Sequence, residues 1–146
     1  MSNIKTLQFE EFINAPIEKV WDAIVNKEKY EQWTVEFTEG STFEGSWEEG
    51  SEIRFLDPKS GGMIEEIAEN RQHEFISIKH LGMIENGVPD YEGAKDWAPA
   101  YENYTFTEKD GGTLIHVDQD ILPEYEEMFL RLWPNALKKL KEICEA

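Results

Sequence analysis

Residues 123–144, PEYEEMFLRLWPNALKKLKEIC, decide the fold. Tyr125, Met128, Phe129, Leu132, Trp133, Ala136, Leu137, Leu140 and Ile143 recur there at helical spacing, so one face of a helix carries them all. A stripe that long, with bulky aromatics in it, needs a large concave partner. The region before it alternates apolar and polar residues like strands and can supply that partner. The functional site is therefore expected between sheet and helix.

Working outward, residues 4–13 read as a first strand. Pro16 then supplies the backbone angle favoured at the first helical position, and Ile17, Val20, Trp21 and Ile24 make one face of a short helix. Asn26 suits the cap of a second short helix over 27–33, which presents Tyr30 and Trp33. Alternation starts near residue 35. Glycines at 45 and 50 bracket one hairpin, Asp57 to Gly62 marks a turn, and strands are expected near 62–69, 73–82, 100–108 and 113–121. Residues 83–99 are rich in turn formers and read as a long connection. The order is strand, two small helices, about six strands and a long helix, an α+β layout of one domain over 1–146 in which an antiparallel sheet curves around the helix.

Composition narrows the function. With 14 basic residues against 31 acidic ones the net charge is −17, which repels phosphate backbones and anionic bilayers. No nucleic acid is expected as partner. No apolar run is long enough to cross a membrane, and the N-terminus MSNIKTLQFEEF lacks the pattern of a secretory signal. The lone Cys144 cannot form an internal disulfide. The expected location is the cytoplasm.

The run Phe12-Ile13-Asn14-Ala15-Pro16-Ile17-Glu18-Lys19-Val20-Trp21-Asp22-Ala23-Ile24, followed by Tyr30-Glu31-Gln32-Trp33, resembles the N-terminal signature of the SRPBCC (START-like, birch-allergen-like) superfamily. Within it the chain looks like the bacterial branch named after the activator of the ninety-kilodalton heat-shock protein ATPase. Gly112-Thr113 and the Trp133, Ala136-Leu137, Leu140 pattern fit the same family at its other end. The resemblance implies a helix-grip fold of about seven strands around the C-terminal helix, with a cavity between them. It also implies ligands of lipid-like, polyketide-like or other hydrophobic character, with cyclases and hydrolases as a minority. The chaperone activation in the branch name belongs to multidomain proteins.

Strand alternation points Ile53, Phe55, Met63, Ile67, Ile76, Ile78, Tyr104, Phe106, Ile115 and Val117 inward. Such a stripe can be a packed core or the wall of a pocket. The candidates for ligand binding are Trp33, Phe55, Met63, Ile78, His80, Trp97, Tyr104, Phe129 and Trp133. His80, Glu65 and Glu102 are the polar residues that share faces with this wall, unless strand ends turn them to solvent; an inward carboxyl would have a raised pKa. His116, Asp118 and Asp120 share the opposite face, where a solvated surface explains them, so no metal and no cofactor is expected. No nucleophile or phosphate-cradling motif is present, and no catalytic residue is assigned. Pro134 either bends one helix, making volume, or opens a second helix. Trp97 either closes the cavity mouth as part of a lid or pins the 83–99 loop to the surface. The leading expectation is a small-molecule binding module. Its alternatives are a cyclase or hydrolase using His80 or Glu102, and a cochaperone-like module that engages a partner with its acidic surface.

Overall fold

The computed structural model describes residues 4–59, 61–93 and 100–146. Trp97 lies outside them. The elements run β1 (Lys5–Ile13), α1 (Ile17–Val25), α2 (Lys27–Trp33), a 3₁₀ turn (Thr34–Glu36), β2 (Thr42–Gly45), β3 (Glu52–Leu56), β4 (Gly62–Arg71) and β5 (Phe75–Glu85). Then come β6 (Val88–Asp90), β7 (Tyr101–Lys109), β8 (Gly112–Ile121), a second 3₁₀ turn (Pro123–Tyr125) and α3 (Glu126–Glu145). All pairings are antiparallel, in the order β1-β8-β7-β5-β4-β3-β2, with β6 paired to β5 off that path. This is the helix-grip layout that the sequence predicts, with α3 lying against β1, α1 and α2.

Local chemistry accounts for the shelf formed by α1 and α2. Pro16 caps α1 in extended backbone, one position before the first helical residue. Asn26 caps α2, its side-chain oxygen accepting from the Lys29 amide at 3.2 Å. Trp33 at the end of α2 donates its indole N–H to the Ala23 carbonyl at 3.0 Å, which locks the two helices together. Alternation starts later than the sequence suggests, because residues 34–36 make one more helical turn and β2 begins only at Thr42.

The expected loop over 83–99 is partly strand. Asn86 and Gly87 both have positive φ, 51° and 77°, the two-residue turn that matches strand twist, so β5 continues to Glu85 and returns as β6. Met83-Ile84-Glu85 carried the alternation and Asn86-Gly87 the turn signal.

The core is the concave face of the sheet closed by the helices. Ile13, Ile53, Ile67, Ile76, Ile78, Phe106, Ile115 and Val117 meet Val20, Ile24, Trp33, Trp133, Leu137 and Leu140 there. Ile64 and Ile84 are also buried but lie outside that cluster. Among the described residues no helix is long and apolar enough to cross a membrane.

Candidate functional site

The grip is incomplete at one end. From Trp133 onward α3 buries Ala136, Leu137, Leu140 and Cys144, whereas before Trp133 it buries nothing fully. Tyr125, Met128, Phe129, Leu132 and Trp133 instead wall a cavity of about 450 Å³ between helix and sheet. The change comes at Pro134, which lies inside one continuous helix, so the two-helix reading does not hold. Having no N–H, Pro134 cannot close the backbone bond to Leu130.

The remaining wall comes from Tyr30, Trp33 and Phe37 after α1, and from Phe55, Met63, Ile78 and Tyr104 on the sheet. The residues expected to bind ligand, Trp33, Phe55, Met63, Ile78, His80, Tyr104, Phe129 and Trp133, all lie on this wall, with Trp97 outside the described residues. Aromatic rings dominate it. Tyr30 stacks on Phe55 at 5.8 Å between centroids, and Trp133 meets Phe37 at 4.9 Å, Tyr104 at 6.0 Å and Trp33 at 6.4 Å. Met83 and Tyr101 also line it and are absent from the sequence-based set. Tyr91, also in the 83–99 stretch, is exposed and is not on the described wall.

Met83 escapes simple alternation because of a bulge. Ile64 pairs with Gly82 and Glu65 with His80, so the ladder skips Leu81. That extra residue shifts the phase of β5: Ile78 and His80 face the cavity, and so does Met83, three positions on. It also sets His80 opposite Glu65. An unbroken ladder would pair Glu65 with Leu81.

The polar residues face inward rather than to solvent. Glu65 is 7% exposed and His80 5%, and His80 Nδ1 lies 3.2 Å from Glu65 Oε1. Burial pushes the Glu65 carboxyl up, and the bond and charge of His80 only partly oppose it. On β7, two strand positions apart and so on one face, Tyr104 donates its hydroxyl to Glu102 Oε2. Burial raises Glu102 to about 7, against the Tyr104 bond, and the nearby Glu65 charge adds to the rise. Tyr104 and Tyr30 are pushed well above the ordinary tyrosine value, first by burial and then by these carboxylates. Gln119 on β8 accepts from the Trp133 indole at 3.2 Å, tying the sheet to α3 beside the cavity.

The outer face of β8 behaves as a polar surface. His116 bonds Glu10 at 3.0 Å and Asp118 at 2.9 Å, while Asp120, near the end of the strand, accepts from the Thr6 hydroxyl at 2.5 Å and the Tyr101 amide at 2.9 Å and also borders the cavity. Partial burial pulls His116 down, but the bonds to Asp118 and Glu10 outweigh it and the net shift is upward.

Several solved structures share this fold at low sequence identity. A protein from Rhizobium leguminosarum superposes with a TM-score of 0.75 at 15% identity, over 99% of this chain and 97% of that one. The Aha1 dimer from Colwellia psychrerythraea gives 0.72 at 16% identity, over 97% and 96%. DynU16, from the dynemicin biosynthetic locus, gives 0.70 at 15% identity; 94% of this chain matches, spanning 46% of that longer one. No curated protein sequence matches the chain. The sequence profile described as Activator of Hsp90 ATPase homolog 1-like protein matches residues 14–145, and the chain belongs to that family.

Proposed function

We propose that the protein binds a hydrophobic or aromatic small molecule in the cavity between the sheet and the N-terminal half of α3. The observation that carries this reading is the cavity itself: about 450 Å³, walled by aromatic rings with a few ionisable groups among them. That size lies within the range of small-molecule sites, roughly 300–1,000 Å³, and the mixture of apolar wall and sparse polar groups is typical of them. The ligand-contacting residues in this proposal are Trp33, Phe55, Met63, Ile78, His80, Tyr104, Phe129 and Trp133. The protein works in the cytoplasm, a placement supported by its one free, buried cysteine.

A second reading rests on the polar groups of the cavity wall. Glu102, raised to about 7 beside the Tyr104 hydroxyl, has the proton affinity of a general acid or base near neutral pH, and His80 stands on the same wall. A cyclase or hydrolase acting on a bound carbonyl compound would use them. A cochaperone-like role would draw on the acidic surface instead, and the cavity gives it no support. Native mass spectrometry of the purified protein tests the binding reading. A co-purified small molecule that is lost from a Leu132→Trp variant is the expected result. Sustained failure of apolar small molecules to bind the wild type would sink it.

A further inference from the structure

The charges on the cavity wall are one-sided. Among the described residues it carries Asp57, Glu65, Glu102 and Asp120, and neither Lys nor Arg. The basic group among these residues, His80, is bonded to Glu65. A carboxylate or phosphate ligand entering here would leave water, find no guanidinium or ammonium among the described residues, and meet like charge. Glu65 offers the opposite. Its Oε2 is buried, has no hydrogen-bond partner among the described residues, and belongs to a side chain on the cavity wall. A buried acceptor left without a donor is costly.

We infer that the cavity takes an aryl or alkyl ammonium ion, its nitrogen donating to Glu65 and Glu102 and its apolar part lying among the aromatic rings. This rests on the binding reading and names its ligand class. An ammonium carries donors and no acceptor, which matches a wall of carboxylate oxygens. The rings of Tyr30, Phe55, Tyr104 and Trp133 on the wall give the cation a further attractive surface as it leaves water. The charge distinguishes it from an alcohol, which could also donate to Glu65. Glu65 and Glu102 lie close enough for the first charge to raise the second group's proton affinity, and a bound cation relieves that repulsion where a neutral hydroxyl does not.

Isothermal titration with 4-phenylbutylamine, 4-phenylbutanol and 4-phenylbutyrate separates these cases, because the three share one apolar part and differ in the head group. At about pH 8 and about 0.15 M salt the amine should bind about ten- to a hundredfold more tightly than the alcohol, the range of a hydrogen bond to a charged group. The acid should bind most weakly. In a Glu65→Gln, Glu102→Gln double variant the amine should fall to the alcohol's affinity while the alcohol is unchanged. A Glu44→Gln variant, altered on the exposed surface, should keep the amine's advantage. An alcohol or acid that equals the amine overturns the inference and leaves the cavity reading standing. So does an amine advantage that survives the double variant, which would trace it to the net charge of −17. If none of the three binds, both readings fall.

Discussion

Replacing Glu102 with Gln should make the protein more stable, and increasingly so as pH rises. Glu102 is held at about 7 in the fold against 4.5 in the unfolded chain. The folded state therefore holds the proton more tightly, and stability is highest below the unfolded value. It is lost progressively as pH rises from 4.5 through 7. At about 1.4 kcal/mol for each tenfold change in proton affinity, the ionised carboxyl costs about 3 kcal/mol once fully charged. Gln keeps an oxygen for the Tyr104 hydroxyl and cannot ionise. Linkage places the loss at about 1 kcal/mol by pH 5.5 and about 3 kcal/mol by pH 8.5, so about 2 kcal/mol should develop between them. Urea unfolding of both proteins at those two pH values, followed by tryptophan fluorescence, measures it. Comparing the two proteins cancels every other carboxylate, and any coupling to Glu65 acts in the same direction. A stability difference that does not change with pH would refute a carboxyl whose proton the fold holds more tightly.

Further outcomes follow from packing and backbone. Trp133→Ala removes the ring shared by the core and the cavity wall and should cost about 3–5 kcal/mol in denaturant unfolding; a loss below about 1 kcal/mol would mean the ring is not packed as described. Gly45→Ala should cost about 1–3 kcal/mol, since φ there is 114° and a Cβ would stand 2.6 Å from the Glu52 carbonyl oxygen; unchanged thermal stability would contradict that hairpin. The Cys144 thiol, pushed up to about 11 chiefly by burial, should react with a maleimide at neutral pH only as the protein unfolds; labelling at the rate of a free thiol would place it on the surface. Asn26→Ala should cost about 1 kcal/mol through the lost cap of α2, and a melting curve superposing on wild type would argue against the cap.

The sequence made the fold legible wherever one face is buried and the other wet. Ile53, Ile67, Ile76, Ile78, Phe106, Ile115 and Val117 occupy the inward positions that alternation assigns them. The helical stripe of residues 123–144 is α3, with only its first residues tightened into a 3₁₀ turn. Reading failed where phase is broken by backbone geometry. The bulge at Leu81 brings the exposed Met83 to the cavity wall, and a two-residue turn at Asn86-Gly87 extends the sheet into the expected loop. Of the site, its aromatic wall was legible because it combines the inner face of the same strands, Phe55 and Tyr104, with the apolar stripes of α2 and α3, Trp33, Phe129 and Trp133. The pairing of Glu65 with His80 was not, since it depends on the register of one strand against another. Whether the stripe encloses a filled core or a cavity was equally hidden. Spacing shows which side chains face one another, and the gap between them depends on tertiary packing.

Pro134 has a kinetic consequence. The turns after it are riveted to the core through Ala136, Leu137 and Leu140, whereas those before it lean on an aromatic chamber and leave Met128 37% exposed. Those early turns also lack one rung of the backbone ladder, so fraying them costs far less than unfolding the domain. A guest could then enter and leave by local breathing of residues 126–132 while the sheet and the anchored half of the helix stay folded. Exchange rates and fold stability would thereby be set on opposite sides of one proline.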